Sequence, residues 1–60
     1  MKYDAATVSN FIDALQTPHK PLSPWEESFL ESITDQWETK QWLSDRQLEI
    51  LERIYAEKTP

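Results

Sequence analysis

The chain contains no cysteine, no glycine and a single histidine. Without cysteine there is no disulfide and no thiolate metal site. With His19 as the only imidazole, a zinc site of the His/Cys kind is excluded as well. Without glycine, the positive-φ positions of tight hairpin turns lose their usual occupant. No segment alternates apolar and polar residues with period two, so a β fold is not expected. Bases are also scarce: six Lys and Arg stand against eleven acids, a net charge of −5. Binding a phosphate backbone or an anionic membrane calls for clustered Lys and Arg, so the balance points instead to a basic partner surface. No apolar run approaches the ~20 residues that cross a bilayer. The segment Met1-Lys2-Tyr3-Asp4 has no apolar leader, which together with the missing cysteine leads us to expect a cytoplasmic protein.

What is present suits a helical core. Sixty residues make one domain, 1–60, and a chain of this size buries only about 60% of its unfolded surface. Three Trp, two Tyr and two Phe supply burial of roughly 150–250 Å² each. Val8, Phe11, Ile12 and Leu15 form an i, i+3, i+4, i+7 stripe after the N-cap Asp4, which predicts helix 1 over about 5–16. Pro18 turns Thr17 away from helical geometry, and Pro21 stiffens the connection that follows. Ser23 as N-cap, Pro24 at the first helical position and Glu26 three residues after the cap start helix 2, about 24–39. Trp25, Phe29, Ile33 and Trp37 recur every four residues and are assigned to its core stripe, with Leu30 beside them. Ser44 with Gln47 starts helix 3, about 45–58, where Leu43 and Leu48 are placed to form a hydrophobic staple. Its stripe is Leu48, Leu51, Ile54 and Tyr55, with Ile50 on the flank. Glu49 and Arg53 are spaced for an i,i+4 ion pair, and Thr59-Pro60 is expected to fray. The predicted fold is an all-α three-helix domain: helices 2 and 3 form an antiparallel hairpin, and helix 1 packs across it.

Helices 2 and 3 repeat one pattern 21 positions apart, Leu22-Ser23 matching Leu43-Ser44 and Phe29-Leu30-Glu31-x-Ile33 matching Ile50-Leu51-Glu52-x-Ile54. Duplication of a helical unit and convergence on a good helix start both account for it. The run Leu22-Ser23-x-Trp25-Glu26-x-x-Phe29-Leu30-x-Ser32-Ile33, followed by Leu43-Ser44-x-x-Gln47-x-x-x-Leu51-x-x-Ile54, resembles a short helical element of phage and mobile-element proteins, often proteins that handle DNA. The resemblance covers about Leu22 to Tyr55 and rests on capping and core residues. It implies a small helical accessory module and no catalytic residues. The acidic face departs from what a DNA-contacting version of such a module requires.

Catalysis is not expected. His19 sits between prolines with Thr17 as its nearest hydroxyl neighbour, no glycine-rich phosphate loop is present, and a domain this small is not expected to enclose the ~300 Å³ typical of ligand pockets. No cofactor or metal is called for. The informative feature is acidic. Glu27, Glu31, Asp35 and Glu38 share one face of helix 2, and from Glu26 to Glu38 there are five acids and no base. Acids near the helix start favour the helix dipole, which accounts for Glu26 and Glu27. Asp35 and Glu38 lie toward the wrong end, so the stripe reads as either a solvated face or a docking face for a basic partner. Trp42, between helices 2 and 3, reads equally as a core cap or as an exposed anchor. The candidate partner-binding residues are therefore Glu27, Glu31, Asp35, Glu38 and Trp42. The expected function is that of a small acidic accessory or inhibitor protein that binds a basic surface of a host protein handling nucleic acid. The alternatives are a direct nucleic-acid module reading through Arg46, Arg53 and Lys58 with Trp42 stacking, and a structural homodimer.

Overall fold

A computed structural model, describing residues 1–59, contains three α-helices: α1 Ala5–Gln16, α2 Pro24–Lys40 and α3 Asp45–Lys58. The described residues contain no strand, and the three helix starts fall where the caps place them. Asp4 accepts the Thr7 N–H at 2.8 Å. In the α2 box the Ser23 hydroxyl accepts from Glu26 N–H at 3.2 Å, and the Glu26 carboxylate accepts from Ser23 N–H at 2.8 Å. The α3 box repeats this with Gln47, at 3.1 and 2.8 Å. Each reciprocal pair satisfies two backbone donors that a helix start otherwise leaves without partners.

Helix α2 ends without the glycine that usually adopts the left-handed conformation there. Gln41 takes it instead, at φ 55° and ψ 35°. Its backbone N–H and its side-chain amide both donate to the Trp37 carbonyl at 2.9 Å, offsetting a conformation that costs an ordinary residue about 1–2 kcal/mol.

One core joins the helices: Val8, Ile12 and Leu15 from α1, Leu30, Ile33 and Trp37 from α2, Leu43 from the turn, and Leu48, Leu51 and Ile54 from α3. The two staple leucines, Leu43 and Leu48, are both buried within it. Helix α1 packs most broadly on α3. Phe11 lies between Tyr3, edge-on at 5.5 Å, and Tyr55, at 4.6 Å. The Trp37 indole N–H donates to the Ser9 hydroxyl at 3.3 Å, tying α2 to α1. Gln36 and Gln47 exchange amide hydrogen bonds at 3.2 and 3.0 Å, tying α2 to α3.

Three sequence expectations are corrected. Trp25 is 60% exposed rather than in the core. Each four-residue step along a helix overshoots a full turn by about 40°, so three steps carry Trp25 about 120° around from Trp37, and Leu30 fills the core position instead. Glu49 and Arg53 form no ion pair; among the described residues the pairs within 4.0 Å are Lys2–Glu52 and Lys58–Glu26. Both residues are exposed, where the attraction is screened and holding two long side chains costs entropy. Thr59 is not frayed: its N–H and its hydroxyl both donate to the Tyr55 carbonyl, at 3.1 and 2.6 Å. Pro60 lies outside the described residues.

These contacts set an order of sensitivity. Ser23→Ala and Ser44→Ala are each expected to cost about 0.5–2 kcal/mol, Ser44→Ala the more because its box is partly buried while that of Ser23 is exposed. Trp37→Ala should cost about 3–5 kcal/mol, whereas Trp37→Phe, which loses chiefly the Ser9 hydrogen bond, should cost about 1 kcal/mol. Urea denaturation ranks the four variants; equal losses for the two serines would remove the role given to burial of the α3 box.

The caps also differ in their response to acid. The Ser23 N–H that the Glu26 carboxylate accepts, and then Lys58, hold that carboxyl below the usual range against the opposing effect of burial. Hydrogen bonding from Thr7 does the same for Asp4. A carboxyl titrating lower in the folded chain than in the unfolded one stabilises the fold above its unfolded value, and that stability is lost as pH falls through the folded value. Stability should therefore drop as pH falls below about 4. Glu26→Gln, which turns the α2 box into the neutral form α3 already uses, should flatten that dependence. A slope between pH 5 and 2 unchanged in Glu26→Gln would show that Glu26 plays no part in it.

Candidate partner-binding groove

The proline connection owes its path to the far end of the chain. The backbone N–H groups of His19 and Lys20 both donate to the Lys58 carbonyl, at 2.8 and 3.2 Å. These two hydrogen bonds tie the connection to the end of α3, and a groove of about 550 Å³ lies between Pro18 and Pro21 on one side and α2 on the other. Leu15, Leu22 and Leu30 give it an apolar lining, and Glu27, Glu31 and Asp35 stand along its α2 side. No base is among the residues that line it. So small a domain was not expected to hold a pocket of ligand size; it does so as an open trough between two elements.

The three acids share one flank of α2 because their four-residue spacing drifts only about 80° in all. All three are exposed, and none makes an ion pair within 4.0 Å among the described residues. Like charges at i,i+4 cost a helix a few tenths of a kcal/mol each, and no base among the described residues pairs with these acids to offset that cost. Glu38 continues the same flank beyond the groove. Trp42 lies outside it too, on the α2–α3 turn, 53% exposed, with its carbonyl accepting from Gln36 at 3.0 Å. Of its two readings, the core cap does not apply.

Thr34, also in the lining, was not anticipated. Its hydroxyl oxygen is shielded from solvent and has no hydrogen-bond partner among the described residues. Threonine inside a helix commonly bonds the carbonyl four residues back, as Thr39 does to Asp35 at 2.9 Å. The sequence carries no signal for this, because the isolation of the hydroxyl depends on how the folded chain packs around it.

The bases of α3 are interspersed with acids rather than clustered. The Lys58 ammonium is 3.5 Å from Glu26 and both side chains are largely buried. Arg46 and Arg53 alternate with Glu49 and Glu57 on the exposed face. The groups of His/Cys/Asp/Glu needed to hold a metal ion are absent among the described residues, and no helix among them is long and apolar enough to cross a membrane.

No protein family, curated protein or solved structure matches this chain.

Thr34→Val, close in shape, removes an oxygen that has lost water without gaining a partner. It is expected to leave the fold as stable as the parent or to stabilise it by about 1 kcal/mol. A loss of more than that in urea denaturation would mean that the hydroxyl already has a partner in the free protein.

Proposed function

We propose that this chain is a small, non-catalytic, acidic binding protein whose α1–α2 groove receives a basic segment of a partner protein. The observation that carries the reading is the coincidence, in one trough, of an apolar lining from Leu15, Leu22 and Leu30 with the unpaired carboxylates Glu27, Glu31 and Asp35. Such a lining selects a segment that presents apolar side chains along one edge and Lys or Arg along the other. The apolar lining supplies affinity, and the carboxylates supply orientation and a fast, salt-sensitive encounter.

Proteins that handle nucleic acid must show Lys and Arg to phosphates, so they carry surfaces of the required sign. The four acids Glu27 to Glu38 span about 16 Å of helix and form a fixed row of negative charge able to occupy such a surface in place of a nucleic acid. A protein that does so acts as an inhibitor or accessory factor. The phage-type role implied by the resemblance of Leu22–Tyr55 belongs to this same proposal. Trp42, exposed beyond Glu38, extends the contact if the partner's surface continues past the groove.

The test is a titration of isotope-labelled protein, followed by amide chemical shifts, with an amphipathic Lys/Leu peptide and with a DNA duplex. The peptide should shift the amides of Leu22, Glu27, Leu30, Glu31 and Asp35 and bind more weakly as salt rises; the duplex should shift nothing. Replacing Glu27, Glu31, Asp35 and Glu38 together by glutamine should leave stability equal or slightly higher, while weakening the peptide complex and flattening its salt dependence. A four-glutamine variant that binds the peptide as tightly as the parent at both low and moderate salt overturns the reading.

A further inference from the structure

The acidic groove leaves the most exposed large aromatic side chain of the fold without a role. Trp25, at 60% exposure, lies on the flank of α2 away from the acids and stacks on Phe29, the ring centroids 5.3 Å apart and the planes 9° from parallel. It borders a second, shallower depression shared with Arg46, Glu49, Ile50, Arg53 and Glu57 of α3. A pre-stacked indole beside a partly buried isoleucine is the type of anchor that interfaces bury.

The charges around it narrow the choice of partner. Arg46, Glu49, Arg53 and Glu57 occupy one exposed face of α3 and alternate in sign. Their spacings of three, four and four residues suit pairing within the helix, yet none of the four makes an ion pair within 4.0 Å among the described residues. Two bases and two acids give the face no net charge, so it selects neither a basic nor an acidic partner. What it complements is itself. Laid antiparallel against an identical helix, about a two-fold axis level with Leu51 and Glu52, Arg46 meets the partner's Glu57 and Glu49 meets the partner's Arg53. Because Glu26 contacts Lys58, Trp25 stands beside the C-terminal half of α3. The same rotation carries it toward the partner's Arg46 and Ile50, where the indole is covered and its face is open to a guanidinium.

We propose that this chain self-associates as a two-fold dimer through the α3 face centred on Ile50 and Arg53 and flanked by Trp25. An isologous contact of this kind closes on itself and stops at two copies. On a body of 27 × 20 × 18 Å such a face buries roughly 500 Å² per copy, and the sum, about 1,000 Å², is at the lower end for specific interfaces. The dimer is accordingly weak, with a dissociation constant on the order of tens to hundreds of micromolar. The groove of Glu27, Glu31 and Asp35 stays open on each copy, so the proposal stands apart from the function proposed above.

Sedimentation equilibrium on the full chain at about 0.15 M salt tests it. The parent should show a monomer–dimer equilibrium. Arg46→Glu and Glu57→Arg should each weaken association about tenfold or more, since the two-fold axis makes every reversal act twice. The combined Arg46→Glu/Glu57→Arg variant should recover to within about threefold of the parent, because each reversed residue then meets a reversed partner. Loss of folding does not explain the single variants: a glutamate in the first turn of α3 and an arginine in its last both favour the helix dipole. Trp25→Ser should also weaken association about tenfold, and the four-glutamine groove variant should dimerise as the parent does. A parent that stays monomeric to millimolar concentration overturns the proposal. So does a combined reversal no stronger than the single ones, or a Trp25→Ser variant that associates like the parent.

Discussion

Lys58 is the residue on which the arrangement of this small domain turns. Its ammonium meets Glu26, which is already engaged in capping α2, and its carbonyl takes two N–H groups from the proline connection. One residue at the end of the chain thereby fixes the start of the middle helix and the path leading into it. A 60-residue chain without disulfides has little core packing with which to hold that path, because the connection offers the core little apart from Leu22. Backbone hydrogen bonds to a helix end do the work instead, and they do it at a carbonyl that would otherwise lack an intrahelical partner. The charge pair adds modestly to this, its two side chains being partly shielded from water.

The absence of glycine shapes the rest. Each helix start uses the side chain of Asp4, Ser23 or Ser44, and Gln41, the one left-handed residue among those described, is secured by a backbone and a side-chain donor on the same carbonyl. The α2–α3 turn is further tied by Gln36, which bonds both the Trp42 carbonyl and the cap residue Gln47. Polar side chains thus do at the helix ends what glycine does in most small helical proteins. This makes the ends rigid and leaves Trp42 displayed on a well-braced turn.

How much of this was legible in the sequence follows from the range of the interactions concerned. The capping boxes of Ser23 and Ser44 act within four residues, so the helix starts could be read directly. The stripes of α1 and α3 combine three- and four-residue steps and hold their direction, so Val8, Ile12, Leu15, Leu48, Leu51 and Ile54 were assigned correctly to the core. A stripe of four-residue steps alone drifts around the helix, which is why Trp25 was misplaced while Trp37 was not. The acids Glu27, Glu31 and Asp35 were visible as a row, but the groove beside them was not. Its far wall exists because His19 and Lys20 bond Lys58, a pairing between segments with no sequence signal for each other. Thr34 was invisible for the same reason.

The drift that displaced Trp25 also separates the two surfaces of α2. Its buried line, Leu30, Ile33 and Trp37, runs between the acids on one flank and Trp25 with Phe29 on the other. A helix that seats a core on one line and, on the two proposals above, meets partners on two others has few positions left for surface lysine. Between Glu26 and Glu38 there is none. Partition of this kind would keep the two proposed contacts from competing: a copy paired through Trp25 and α3 would still offer Glu27, Glu31 and Asp35 to a basic segment. Two grooves held at a fixed separation then bind a partner with two basic segments more tightly than either groove alone, provided the spacing matches. For a domain whose acidic groove is small, the proposed self-association would thus be a route to useful affinity that needs no enlargement of that groove.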